Sequence, residues 1–152
     1  MVDALTRIQI RLALEDLNTS FTHHLDHNEV DQLVNLFTAD ALYTHGSRVS
    51  RGRQAIRELF EGRRSAGVRT ARHLYSGLRL NIEDDANATG TSVCMTFAFD
   101  GPVPVRNTLP HLVADFEDRY RCDSEGHWRI AERHIRRIFV APDNPGPVQA
   151  QT

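Results

Sequence analysis

Residues 109–122, with the sequence LPHLVADFEDRYRC, alternate between two kinds of side chain and decide the fold. Because successive side chains of a strand point to opposite faces, this alternation predicts a strand with one largely apolar face. That face would carry Leu112, Ala114, Phe116, Asp118 and Tyr120. Segments 70–82, 90–99 and 128–140 are also strand-like, with turn residues between them. The second half of the chain therefore predicts a run of long antiparallel strands.

The first half of the chain favours helices. Residues 4–26 have an apolar stripe at spacings of four and three, formed by Ile10, Leu14, Leu17, Phe21 and Leu25. Segments 28–37 and 53–64 have shorter helical patterns, and 41–44 is typical of a brief strand. Helices followed by long antiparallel strands indicate an α+β domain, with three N-terminal helices on one face of a curved sheet. Such an arrangement encloses a pocket suited to apolar or aromatic ligands.

Composition restricts the class of protein. The 152 residues suffice for one domain with a single core, which we expect at residues 1–141, and segment 142–152 is expected to be an extended or disordered tail. A net charge of −2 gives no electrostatic reason to bind nucleic acid or an anionic membrane. The chain lacks the pattern of a signal peptide and any apolar run long enough to span a membrane. The two cysteines, Cys94 and Cys122, could pair in principle, but such a pair is more often two reduced thiols of a cytoplasmic protein. We therefore expect a cytoplasmic location.

Two short segments far apart in the chain supply the parts of a general base. Asp26 ends the predicted first helix, and His73 begins the first long strand. An imidazole accepts a proton near neutral pH, and a carboxylate beside it fixes its tautomer and stabilises its charged form. The sequence leaves two simpler interpretations open. His73 could bond to a backbone carbonyl, and Asp26 could cap a helix.

Strict alternation raises a difficulty for this pair of residues. It places His73 with Tyr75 on the face opposite Leu78 and Leu80. A β-bulge near Ser76-Gly77 would bring both groups to the same side of the sheet. The sequence therefore predicts a bulge at this point if His73 faces the cavity.

The order of elements resembles the SnoaL-like branch of the nuclear transport factor 2-like superfamily, a cone-shaped α+β fold that includes scytalone dehydratase and hexachlorocyclohexane dehydrochlorinase. The residues that carry the resemblance are IRLALEDL at 10–17, Asp26, LFTADA at 36–41, GRQAI at 52–56, HLYSGLRL at 73–80 and GHWRI at 126–130. Together they extend over about residues 5–140.

The resemblance implies roles for particular residues. Asp26 and His73 would occupy the catalytic positions, and Tyr43 would help to polarise a substrate carbonyl through water. A basic side chain from the C-terminal strands, Arg133 or Arg119, would also contribute. The chain departs from the dehydratase pattern at Leu25, where a second tyrosine is expected, and in segment 93–99, which lacks a further histidine.

These observations predict a cofactor-independent, dehydratase-like lyase acting on a small apolar, cyclic or aromatic substrate. The expected pocket walls are Phe37, Phe60, Met95, Phe97, Phe116 and Tyr120, with Arg133. Two alternatives stay open. One is an isomerase or polyketide-type cyclase, and the other is a non-catalytic subunit like the small subunit of aromatic-ring dioxygenases. The resemblance also suggests a homo-oligomer, a dimer or trimer formed through the outer face of the sheet.

No metal is expected. His23 and His27 have the spacing of two ligands on one helical face, but the glutamate of the usual zinc-protease pattern is missing. Solvated histidines at a helix end are the simpler interpretation.

Overall fold

A computed structural model describes residues 1–67, 69–106 and 109–142, and within them three helices cover one six-stranded sheet. The elements in chain order are α1 Ala4–Asp26, α2 Val30–Asn35, β1 Phe37–His45, β2 Arg48–Arg51, α3 Gly52–Ser65, β3 Arg69–Ile82, β4 Asn87–Asp100, β5 Leu112–Cys122 and β6 Trp128–Val140. The strand order is β2-β1-β6-β5-β4-β3. Neighbouring strands are antiparallel except β1 and β6, which run parallel. The predicted α+β class, with a curved and mostly antiparallel sheet, is confirmed.

The first strands differ from the prediction. Phe37, which was expected to end a helix, instead begins β1, and the short strand β2 was not predicted. The spacing of Val30, Leu33, Val34 and Phe37 fits a helix, but Phe37 pairs with Ile130 of β6. Because β6 is the last strand in the chain, this pairing is a long-range interaction that local periodicity does not reveal.

The core lies between α1 and the inner face of the sheet. The predicted stripe on α1 is buried along its whole length, and it packs mainly against β3. Two polar contacts fix this packing, because Tyr75 Oη donates to Glu15 Oε2 at 2.6 Å and Arg11 Nη2 donates to the Leu78 carbonyl at 3.2 Å. The end of α1 is thereby held next to the start of β3.

The bulge predicted in β3 is confirmed. The register with β4 shifts between Ser76 and Arg79, and Gly77 has φ +69°. A left-handed backbone conformation is accessible to glycine without the strain that a side chain would add. After the bulge Leu78 is buried on the same side of the sheet as Tyr75, which also packs against the core. His73 and the apolar end of β3 therefore share one face.

None of the helices in the described part of the chain is both long and apolar enough to cross a bilayer. Cys94 and Cys122 are both free thiols. The predicted tail falls on positions 142–152, of which residues 143–152 lie outside the described residues.

Candidate active site

The side chains of Asp26 and His73 meet at the junction of α1 and β3. Asp26 Oδ1 lies 2.5 Å from His73 Nδ1, and the backbone N–H of His73 donates to Asp26 Oδ2 at 2.9 Å. Only 6% of the Asp26 side chain and 8% of the His73 side chain are exposed. Both carboxylate oxygens are thus committed to one residue, and the geometry is that of an oriented imidazole.

This arrangement differs from the simpler interpretations of the two residues. Asp26 does not cap α2, whose N-cap residue is Glu29 and makes no side-chain capping bond. His73 bonds to a carboxylate rather than to a backbone carbonyl. Its Nε2 makes no hydrogen bond to any residue that the structure describes. When Nδ1 donates to Asp26, Nε2 is left as the proton acceptor of the ring.

Arg133 lies inside the fold and is fully buried, with 0% exposure. Its Nε and Nη2 donate to the two oxygens of Asp118, each at 2.8 Å, and Nη2 also donates to Asn18 Oδ1. The guanidinium carbon lies 4.3 Å from the centroid of the Phe21 ring and 4.6 Å from that of Phe116. Nη1 is buried and has no hydrogen-bond partner among the described residues.

Electrostatics hold this arginine in its charged form. Burial alone would lower the pKa of Arg133, but the charge of Asp118 and its hydrogen bonds raise that pKa above the ordinary value. Tyr120 Oη donates to Asp118 Oδ2 at 2.7 Å and accepts from Asn18 Nδ2 at 3.0 Å. Burial, followed by the charge of Asp118, raises the pKa of Tyr120. The result is a connected polar network in the core, in which the Nη1 amino group of Arg133 has no partner among the described residues.

Tyr43 stands on β1 between two aromatic rings. Its ring centroid is 6.0 Å from that of Phe37 and 5.6 Å from that of Phe60. Burial raises the pKa of Tyr43 to about 12, so the phenol stays protonated near neutral pH. The residue borders a cavity of about 510 Å³ that is also lined by His45, Arg48, Glu58, Leu59, Phe60, Gly62 and Arg63.

The predicted pocket walls separate into three groups. Phe60 lines the cavity next to Tyr43, whereas Phe37, Phe116 and Tyr120 are buried in the core. The placement of Met95 and Phe97 on the pocket wall requires correction. In β4 they alternate with the buried residues Cys94, Thr96 and Ala98, so both face out of the sheet. The large apolar side chains suggested an inward face, but the alternating residues Cys94, Thr96 and Ala98 occupy it.

Of the two arginines that the resemblance suggested, Arg133 is the one inside the fold. Arg119 is exposed and lies 4.0 Å from Glu132 on the outer face of the sheet. The sequence did not indicate that Asp118 and Asn18 would bind Arg133, or that Arg63 would line the cavity beside Tyr43. Asp118 could have been found, because a carboxylate on the apolar face of a strand requires a buried cation. Arg63 gave no comparable signal within its polar helix.

The histidines at the end of α1 interact with one another and with Glu29. The rings of His23 and His27 stack at 4.2 Å, and His24 Nδ1 lies 2.6 Å from Glu29 Oε2. The hydrogen bond from His24 lowers the pKa of Glu29. Ligand atoms of His23, His24 and Glu29 lie within 4.8 Å of one another, a spacing that could hold a cation, although exposed groups of this kind are common without one.

Three helices on a curved, mostly antiparallel six-stranded sheet form the cone-shaped fold of the nuclear transport factor 2-like proteins. The chain matches the SnoaL-like domain family over residues 6–134 and belongs to that family. A search of curated proteins found no significant match by sequence.

Solved structures extend the comparison of the fold. A putative scytalone dehydratase from Novosphingobium aromaticivorans is 19% identical, with a TM-score of 0.84 over 97% of this chain and 96% of that one. LinA, a hexachlorocyclohexane dehydrochlorinase, is 19% identical, with a TM-score of 0.76 over 97% of this chain and 98% of LinA. Rv3472, a protein of unknown function from Mycobacterium tuberculosis, is 25% identical, with a TM-score of 0.74 over 93% of this chain and 83% of Rv3472. At these identities the likeness concerns the fold.

Proposed function

We propose that the protein is a cofactor-independent lyase of the dehydratase kind. His73 Nε2 removes a proton from the carbon next to a carbonyl group, and Asp26 orients the imidazole and stabilises its charged form. The observation that carries this proposal is the almost fully buried pair, in which Asp26 holds Nδ1 and leaves Nε2 without a partner among the described residues. The substrate is small, largely apolar, and cyclic or aromatic.

The remaining residues complete an elimination. The electron pair of the broken C–H bond forms the new double bond as the C–O bond on the next carbon breaks. The proton taken up by His73 passes to the departing hydroxide, so water leaves and the imidazole is restored. Tyr43, a protonated phenol, polarises the carbonyl through water. Arg133 has a buried Nη1 group without a partner in the described chain, which suits it to stabilise developing negative charge.

Family membership supports the proposal at a coarser level. Proteins of this family are often enzymes, and the structural neighbours include a putative dehydratase and a dehydrochlorinase, names that denote elimination reactions. Architecture alone does not assign an activity, because one fold hosts many functions. The buried pair of Asp26 and His73 therefore supports the proposed lyase activity more strongly than the shared fold does.

The test is a panel of cyclic β-hydroxyketones incubated with the protein in D₂O. Absorbance follows formation of the conjugated ketone, and NMR follows exchange of the α-proton. Elimination supports the lyase. Exchange without elimination favours the isomerase or cyclase, which would share the same base. Neither reaction, together with co-purification with a larger metal-bearing chain, would favour the assembly subunit and end the proposal.

We further propose that the protein is cytoplasmic and self-associates through the outer face of its sheet. The two free thiols fit a reducing compartment. Exposed apolar side chains form a row across that face, from Leu74 on β3 to Phe139 on β6.

A further inference from the structure

The cavity beside Tyr43 combines an apolar wall with cationic groups. The apolar wall is formed by Tyr43, Phe60 and Leu59. The cationic groups are Arg48 from β2 and Arg63 from α3. A volume of about 510 Å³ is enough for a molecule with one or two rings. The distribution of charge in this cavity indicates which kind of molecule fits.

Arg63 is partly buried, and its guanidinium makes no hydrogen bond and no ion pair within the described part of the chain. Burial lowers the pKa of Arg63, and Arg69 and Arg48 lower it further, while Tyr43 and Asp26 act in the opposite direction. Asp26 is already engaged by His73. A desolvated cation without a partner is unfavourable unless a counter-charge is supplied.

The neighbouring groups do not supply that charge. His45 Nε2 is buried without a partner among the described residues. Burial, followed by Arg137, Arg48 and Arg63, lowers the pKa of His45 to about 4. The ring is therefore neutral near neutral pH.

The acidic residue on the lining is Glu58, which is exposed and accepts a hydrogen bond from Gln54 Nε2 at 3.1 Å. It forms no ion pair with Arg48 or Arg63. The cavity therefore has an excess of positive charge next to an apolar wall.

We infer that this cavity binds a carboxylate carried by the substrate, with Arg63 as its principal partner and Arg48 at the rim. The inference rests on the proposed function, in which Tyr43, a residue that lines this cavity, polarises the reacting carbonyl. It narrows the substrate class from neutral apolar compounds to aromatic or cyclic compounds that bear one carboxylate. The apolar body would lie against Phe60 and Leu59.

The experiment measures binding without turnover. Isotope-labelled protein is titrated by NMR with benzoate and separately with benzamide, which share ring and size but differ in charge. Benzoate is expected to bind ~10-fold more tightly, as for a charge-assisted hydrogen bond. Arg63→Gln should remove this preference, and Arg63→Lys should retain most of it. Arg64→Gln is the matched control, because Arg64 is exposed in the same last turn of α3 and does not line the cavity.

Three results would overturn the inference: equal affinity for the two compounds, no binding of benzoate at millimolar concentration, or a preference that survives in Arg63→Gln. The outcome is independent of the catalytic pair. If His73→Ala keeps the preference for benzoate while the wild-type protein abstracts no proton from any ketone, the anion site stands and the proposed reaction fails. If ketones react but benzoate shows no preference, the reaction stands and the anion site fails.

Discussion

At the scale of single residues, the two nitrogens of His73 have different tasks. Nδ1 is held by Asp26, and Nε2 is left to act on a substrate. His73→Ala should lower turnover at least ~100-fold, and Asp26→Asn should lower it by a similar order, because general-base catalysis contributes this much. Turnover of a reactive hydroxyketone measures both. The exposed His127 provides the control, since His127→Ala should leave the rate unchanged. Wild-type turnover in His73→Ala would exclude the mechanism.

The pKa of His45 makes a separate prediction about stability. Its folded-state pKa of about 4 lies below the ordinary value of 6.5, so the unfolded chain binds this proton more readily. The neutral ring stabilises the fold above pH 6.5, and this contribution is lost as the pH falls towards 4. His45→Gln should therefore flatten the decrease in unfolding free energy across this window. Urea denaturation at several pH values measures it, and the exposed His127→Gln should keep the wild-type slope.

The buried ion pair between Asp118 and Arg133 can be compared with an exposed one. Asp118→Asn leaves a buried guanidinium uncompensated, so we expect it to lower the unfolding free energy by about 3–5 kcal/mol. Glu132→Gln removes the partner of the exposed Arg119 and should change it by less than about 1 kcal/mol. Chemical denaturation of both variants measures the difference. Equal effects would mean that the network around Arg133 contributes no more than a surface pair.

At the scale of elements, the bulge in β3 connects local geometry with the site. Gly77 has φ +69°, so Gly77→Ala should destabilise the protein by about 1–2 kcal/mol. A matched control lies in α3, where a Cβ at Gly62 would meet nothing within 4 Å. Gly62→Ala should stabilise the protein by up to about 1 kcal/mol. Thermal unfolding gives both values, and the same sign for both substitutions would contradict the assignment of strain to the bulge.

The long elements could be predicted because their hydrophobic periodicity is local. The contact between Asp26 and His73 could be predicted because the chain resembles a family with a catalytic Asp/His pair. The start of β1 at Phe37 could not, because its pairing with Ile130 joins distant parts of the chain. The orientation of β4 was also misjudged. Met95 and Phe97 are the larger apolar residues, yet the smaller side chains of Cys94 and Thr96 lie on the inner face. Hydrophobicity identified the strand but not the side that faces the core.

At the scale of the whole molecule, the same orientation leaves apolar side chains on the outer face of the sheet. Leu74 pairs with Met95, Met95 with Val113, and Val113 with Phe139, so one row crosses four strands. Leu74 is 53% exposed and Phe139 is 69% exposed. A contiguous apolar row of this kind is typical of an interface rather than of a solvated surface.

We expect this row to join copies of the chain. Met95→Glu should shift the protein towards monomer, because a desolvated carboxylate in an apolar contact is unfavourable. Analytical ultracentrifugation over a range of concentrations measures the shift. Thr91→Glu is the control, since Thr91 is exposed on the same strand and pairs with Glu117, outside the apolar row. A wild-type protein that stays monomeric at every concentration would leave the outer face without this role, and its apolar row would then require a different protein partner.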